Sequence, residues 1–372
     1  MHAIHALRSL GQSTWLDHLD RRMLRNGQLK RMIEDDALAG VTSNPTIFQK
    51  AIAASPADYD EVSHRPSARE PDSAVLEQIE VCDVALACDH FLGVHERTGD
   101  DGFVSIEVSP LLARNTAATM AEASRLWTRV ARPNVMVKIP ATREGLPAIR
   151  RCLAAGININ VTLLFSLERY REVVDAHLSA LEDRLSRSEP IARVASVASV
   201  FVSRIDAKID RLLERASRAG KTAAPSLKGR IAIANAKLAY EEYQRTVRSE
   251  RWQRLAAKGA APQRLLWGST APKDPVYPPT YYVDALAGPS TIDTMTVQTF
   301  EAYIRAYAHG GSPRPRLMED VRVAHEEMDR LASLGIDLGS VTDELEREGV
   351  DAFSASFDRV LSTIHERRAS VA

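Results

Sequence analysis

Short apolar runs alternate with long amphipathic stretches along most of the chain, and this alternation limits the fold more than any other feature. Strands are expected at 13–18 (STWLDH), 40–45 (GVTSNP), 103–108 (FVSIEV), 134–140 (NVMVKIP), 156–165 (GININVTLLF), 194–202 (VASVASVFV), 264–270 (RLLWGST) and 290–295 (STIDTM). Between them lie helical candidates such as LLARNTAATMAEASRLWTRV and LERYREVVDAHLSALEDRL. In the second, Tyr170, Val173, Val174, His177, Leu178 and Leu181 recur at helical spacing. Strands separated by helices imply a parallel sheet with right-handed crossovers. Eight such units favour a closed (β/α)8 TIM barrel over an open doubly wound sheet. No strand leads into the GxGxxG turn of a dinucleotide site. The segment TYYVDALAG has strand composition, but Gly288 suits a helix C-terminus and the barrel requires a helix there, so a short helix is expected.

The expected organisation is a single barrel domain over residues 1–372, with additional helices. Two surface insertions are expected, at about 55–73 and about 309–340, the first polar and proline-bearing and the second opening on HGGSPRPRL. In the tail DAFSASFDRVLSTIHERR, Phe353, Phe357, Val360, Leu361 and Ile364 share one face, which predicts a closing amphipathic helix. Of the 372 residues, 45% are hydrophobic and 26% charged, with net charge −1, so the composition is globular and carries no basic excess toward nucleic acid. No apolar run approaches the roughly 18 to 20 residues that crossing a membrane requires. The opening MHAIHALRSLGQSTW lacks the apolar core of a secretory signal. Cys82, Cys88 and Cys152 show no metal-ligand spacing and are expected as free thiols, which fits a cytoplasmic protein.

The strands carry a second pattern. In NVMVKIP, Asn134, Met136 and Lys138 point one way and Val135, Val137 and Ile139 the other. An ammonium group aimed along a buried strand is costly unless it is paired or used. The neighbouring strands repeat the arrangement. Ser105 and Glu107 face away from Val104, Ile106 and Val108, while Asn158, Asn160 and Thr162 face away from Ile157, Ile159 and Val161. The first strand ends at Asp17 and the second at Asn44. Singly, an Asp or Asn at a strand end is a turn or cap residue and a Thr in a strand reflects propensity. Together, five successive strands place a polar group inward near the same end, where barrel enzymes carry their chemistry.

These residue types point to carbonyl chemistry. A desolvated lysine amine can attack a ketone and form a Schiff base, whose protonated imine then acts as an electron sink. Glu107 and Asp17 can move protons, Thr162 can hold a relaying water, and Asn44 and Asn160 can bind hydroxyls of a polyol. Neither a metal nor an organic cofactor is needed.

The motifs GVTSNPTIF, VMVKIPAT, GININVTLLFS and WGSTAPKDPVY, in this order, resemble those of the transaldolases, most closely the longer bacterial subgroup. The resemblance runs from about residue 10 to the C-terminus. It implies an aldolase-type barrel that transfers a dihydroxyacetone unit between sugar phosphates in the non-oxidative pentose phosphate pathway. It further implies Lys138 as the Schiff-base lysine, Glu107 and Thr162 around the catalytic water, Asp17 as general acid/base, and Asn44 and Asn160 on the dihydroxyacetone part. Ser199 and Arg204, in SVFVSRID, correspond to the sugar-phosphate segment. Lys273 stands where many relatives have a second phosphate-binding arginine, and lysine lacks the arginine fork. Phe201 occupies a position where transaldolases carry phenylalanine and the related aldolases tyrosine. Expected partners are therefore small sugar phosphates, with no nucleic acid and no membrane, and homo-oligomerisation left open. The rival readings are a lysine aldolase that releases dihydroxyacetone and a catalytically silent sugar-phosphate-binding barrel.

Overall fold

The structure is a computed structural model and describes residues 3–60 and 70–369. Eight parallel strands close into a barrel in chain order: β1 (Gln12–Leu16), β2 (Gly40–Thr42), β3 (Phe103–Glu107), β4 (Val135–Pro140), β5 (Ile159–Leu164), β6 (Ser196–Phe201), β7 (Arg264–Gly268) and β8 (Thr291–Met295), with β8 paired back to β1. All eight expected strands are present. The expected short helix is also present, at Tyr281–Ala285. No described helix is long and apolar enough to cross a membrane.

The two faces of each strand separate into two cores. Val135, Val137, Ile139, Ile159, Val161, Leu265 and Trp267 pack outward on the helices. Trp15, Phe103, Met136, Val197, Leu266 and Ile292 form a separate apolar plug inside the barrel. Burying each of these larger side chains is worth about 1.5–3 kcal/mol, so the interior is packed core over this depth and leaves no pore. Below the plug, Arg264 pairs with Asp101 at 2.8 Å while Ser13 donates to the other Asp101 oxygen at 2.7 Å, closing the N-terminal end. The plug thereby separates these mutually paired polar groups from the polar residues at the C-terminal end.

Three details differ from the sequence expectation. Strand β2 stops at Thr42, because Asn44 has left the sheet to cap the helix Pro45–Ala54, its Oδ1 accepting from the Ile47 N–H at 3.0 Å. Strand β5 starts at Ile159, three residues later than expected. Below it, Asn158 donates to the Pro133 and Val135 carbonyls and accepts from Ala195 N–H, tying β5 to its neighbours through a side chain. The register between β5 and β6 shifts between Val161 and Leu164, where Leu163 has φ +52°. Bulges of this kind re-aim side chains, and this one adjoins Thr162.

The amphipathic tail is part of a longer helix, Leu338–Ala369, with Phe353, Val360 and Ile364 buried. It lies against the helices Pro45–Ala54 and Asp72–Thr98, and Thr46 donates to Ser356 at 2.9 Å. Gly349 sits where a Cβ would come within 2.8 Å of Leu163, so this helix touches the β5 bulge through a residue without a side chain. Of the insertion expected at 55–73, residues 61–69 lie outside the described residues, and Tyr59 is buried beneath the Arg21 guanidinium. In the stretch 309–340, the helix Val321–Ser333 packs on Ile231–Arg248.

Candidate active site

At the C-terminal end, the register aligns Glu107 with Lys138 and Lys138 with Asn160, so three adjacent strands bring these residues to one level. Lys138 is only 4% exposed. Its ammonium group donates to the Ser43 carbonyl at 3.0 Å and lies 3.2 Å from Glu107 Oε2. Burial drives the Glu107 carboxyl above the usual glutamate range, and the Lys138 ammonium opposes that rise. The question raised by a charge within NVMVKIP is thus answered. The lysine is buried, but it has a counter-charge and a carbonyl to meet it.

Asn160 is fixed from both sides, since Ser199 Oγ donates to its Oδ1 at 2.6 Å and its Nδ2 donates to Ser105 Oγ at 3.0 Å. Asp17, one residue past β1, accepts from Thr42 Oγ1 at 2.8 Å, and that hydroxyl lies 2.9 Å from Thr294 Oγ1. Thr162 Oγ1 is buried without a hydrogen-bond partner among the described residues, which leaves it open to a bound molecule. Because the cap occupies Asn44 Oδ1, its Nδ2 donors are what it can offer a ligand.

These groups surround a cavity of about 550 Å³ at the barrel mouth, lined by Asp17, Asn44, Lys138, Thr162, Ser199, Phe201, Arg204 and Lys273 among others. Of the ten residues read from the sequence, eight line it. Asn160 reaches the cavity through Ser199. Glu107 sits behind Lys138 and faces a second cavity instead.

The outer part of the mouth is cationic. Arg204 is the second residue of the helix Ser203–Arg218, so its guanidinium stands at a helix N-terminus, where anions are favoured. Burial pulls its pKa down. Lys273, on the segment after β7, is also shifted down, by burial first and then by the charges of Arg204 and Lys50. Lys50 was not singled out from the sequence. It lies on the helix capped by Asn44, and with Ile47, Ala51 and Ala54 it lines the same cavity at helical spacing, the one sequence signal that could have found it. Three like charges facing one space repel each other unless an anion sits among them. Phe201 is packed beneath this rim. Its ring is 5.3 Å from that of Phe165 and 5.9 Å from the Arg204 guanidinium, and Gly268 leaves room for it, since a Cβ there would come within 3.1 Å.

The fold and cavity define a (β/α)8 barrel with a buried amine paired to a carboxylate beneath its mouth and a cationic rim. Comparison with known proteins narrows the class. Residues 14–364 match the family model described as Transaldolase/Fructose-6-phosphate aldolase. A transaldolase of Saccharopolyspora erythraea is 47% identical over 98% of this chain and 97% of its own length. Those of Acidothermus cellulolyticus and Trichodesmium erythraeum are 46% and 41% identical, covering 96% and 97% of this chain and 95% and 96% of their own lengths. The chain belongs to the transaldolase/fructose-6-phosphate aldolase family.

Proposed function

We propose that this protein is a transaldolase, moving a dihydroxyacetone unit reversibly from sedoheptulose 7-phosphate to glyceraldehyde 3-phosphate through an imine on Lys138. The observation that carries the reading is the Lys138 ammonium held between the Ser43 carbonyl and the Glu107 carboxylate at the floor of a cation-rimmed cavity.

Glu107 takes a proton from the ammonium, and the freed amine attacks the donor's ketone. The carbonyl oxygen then leaves as water, and Thr162 and Glu107 hold that water. Asp17 accepts the proton of the hydroxyl two carbons beyond the imine carbon, and the bond from that hydroxyl-bearing carbon to the carbon next to the imine breaks toward the iminium, which stores the electron pair as an enamine. The first aldehyde leaves. Asn44 and Asn160 hold the hydroxyls of the three-carbon unit, while Arg204, Lys273 and Lys50 hold the phosphate of donor and acceptor in turn. The enamine attacks the incoming aldehyde, Asp17 returns its proton, and water frees the product. Starting from sedoheptulose 7-phosphate, the products are erythrose 4-phosphate and fructose 6-phosphate. Phe201 favours transfer over release, because an apolar ring beside the imine cannot orient a hydrolytic water as a phenol would. The free thiols Cys82, Cys88 and Cys152 support a reducing compartment, which we take to be the cytoplasm.

The test is to incubate the protein with fructose 6-phosphate, reduce with borohydride and locate the mass adduct by peptide mapping. A three-carbon or six-carbon adduct on Lys138 alone is expected. An adduct on another lysine, or none, would refute the imine mechanism.

A further inference from the structure

Glu107 stands between two cavities. On one side is Lys138 and the substrate mouth. On the other, Glu107 lines a second cavity of about 520 Å³, between the helices Asp72–Thr98 and Thr116–Val130, with Leu112 and Phe357 at its edge. Glu77, Glu80 and Glu122 also face this space, together with Arg125 and Arg129. The three glutamates differ in what holds them. Glu77 is taken up by Arg125 at 2.7 Å and Arg129 at 2.5 Å, and Glu122 accepts from the Ser109 N–H at 3.0 Å. No ion pair or hydrogen bond among the described residues holds Glu80.

Glu107 supplies an independent observation. It is 8% exposed, and neither carboxylate oxygen accepts a well-aligned hydrogen bond among the described residues, Lys138 meeting Oε2 as an ion pair. A buried carboxylate left this way needs partners, and the cavity beside it carries charged groups on a largely apolar wall and is large enough for several waters at about 30 Å³ each. Burial, with the charges of Glu122, Glu77, Glu107 and Asp83, pushes the Glu80 carboxyl well above the ordinary range, and the half-buried side chain faces the same space. Arg125 and Arg129, the cations facing the cavity from the neighbouring helix, are engaged by Glu77.

We propose that this second cavity is the water port of the Schiff-base cycle, and that Glu80 is a positioning residue ordering the water that passes to and from Glu107. The inference rests on the imine reading above. When the imine forms, the nitrogen–carbon bond is made and the carbon–oxygen bond breaks. Two ammonium protons leave on the departing oxygen as one water, and the third stays on the iminium. Hydrolysis at the end of the cycle consumes one water. With sugar phosphate filling the mouth, the side of Glu107 away from the substrate gives this water a separate route.

The C2 oxygen of fructose 6-phosphate exchanges with solvent each time the imine forms and hydrolyses, so incorporation of ¹⁸O from labelled water reads the port directly. Borohydride trapping on Lys138 is run alongside. Glu80→Leu should slow ¹⁸O exchange and imine formation about tenfold, below the usual range for proton-transfer groups because Glu80 acts through another residue. KM should not change. Glu80→Gln, which keeps a hydrogen-bonding side chain of the same size, should restore most of the rate. Ala74→Phe, which fills the cavity without replacing a charged residue, should slow exchange as Glu80→Leu does, and it reads the same rates if the leucine variant does not fold. Exchange at the wild-type rate in Glu80→Leu or Ala74→Phe overturns the port while leaving the imine intact. So do equal losses in the leucine and glutamine variants. Absence of a Lys138 adduct in the wild type overturns the imine reading, and the port with it.

Discussion

Replacing Lys138 by methionine removes the nucleophile, and the structure also specifies what it does to stability. The ammonium lies 3.2 Å from Glu107 Oε2, with both side chains at most 5% exposed. At that separation and an effective dielectric constant of about 20, the attraction is about 5 kcal/mol. Without it the Glu107 carboxylate has no counter-charge, and breaking a buried pair from one side costs about 3–5 kcal/mol. Protonation limits the loss. Glu107 already stands above the glutamate reference of 4.5 through burial, and in the variant the cation that opposes this is gone. A carboxyl raised in the folded state contributes fully below its unfolded pKa and loses that contribution as pH rises. The penalty in Lys138→Met should therefore be small at acid pH, where Glu107 is protonated, and grow as pH rises, toward the about 3–5 kcal/mol of a buried charge left without its partner. Denaturant unfolding at pH 5, 6, 7 and 8 measures it, comparing wild type, Lys138→Met and the double variant with Glu107→Gln. Turnover should be abolished in both variants, and the double variant should lose the pH slope. A deficit that stays constant or shrinks with rising pH, or a slope that survives Glu107→Gln, would refute the reasoning.

Arg204→Ala should raise KM for phosphorylated donors by on the order of 2 to 3 kcal/mol of lost binding, and leave free fructose almost untouched; equal losses with both donors would make Arg204 structural. Lys273→Ala and Lys50→Ala should act in the same direction with smaller effect, since an ammonium presents a point charge where a guanidinium presents a fork. Phe201→Tyr should raise the release of free dihydroxyacetone from fructose 6-phosphate relative to transfer onto added erythrose 4-phosphate. Rapid release by the wild type without an acceptor would favour the aldolase reading. Asp293 is buried on β8 with Oδ2 unpartnered, and burial pushes its carboxyl up to about 7, opposed by the Thr270 hydroxyl. The wild type therefore loses stability as pH rises toward 7, and Asp293→Asn should be more stable by on the order of 2 kcal/mol at pH 8 with little gain at pH 5, as thermal unfolding would report.

Most of the barrel was legible because strand alternation separates two cores chemically. Val135, Val137 and Ile139 against Asn134, Met136 and Lys138 already state which side meets the helices. The candidate site was legible where a residue stands on a strand, as with Glu107, Lys138 and Asn160, because register carries it to a known level. It was less legible where backbone leaves the sheet. Asn44 caps a helix as well as facing the cavity, and a cap and a ligand have the same sequence appearance. Lys50 enters through helix geometry after a turn, and Thr42 and Ser43 enter through contacts across the barrel. Glu80 could not be read at all. Its place beside Glu107 depends on how the helix Asp72–Thr98 lies on the barrel, which no local pattern encodes.

The helix Leu338–Ala369 reaches back to segments synthesised some three hundred residues earlier, through Ser356 to Thr46 and Arg368 to Asp72. It also supplies Phe353 to the mouth cavity and Phe357 to the cavity behind Glu107. The β8-to-β1 pairing closes the barrel without it, so a chain emerging from the ribosome can complete its sheet before either cavity has its last wall. Docking this helix closes loops of roughly three hundred residues, and non-local steps of this kind are slow. Catalytic competence should therefore trail barrel formation during refolding, with the lag set by docking of this one helix.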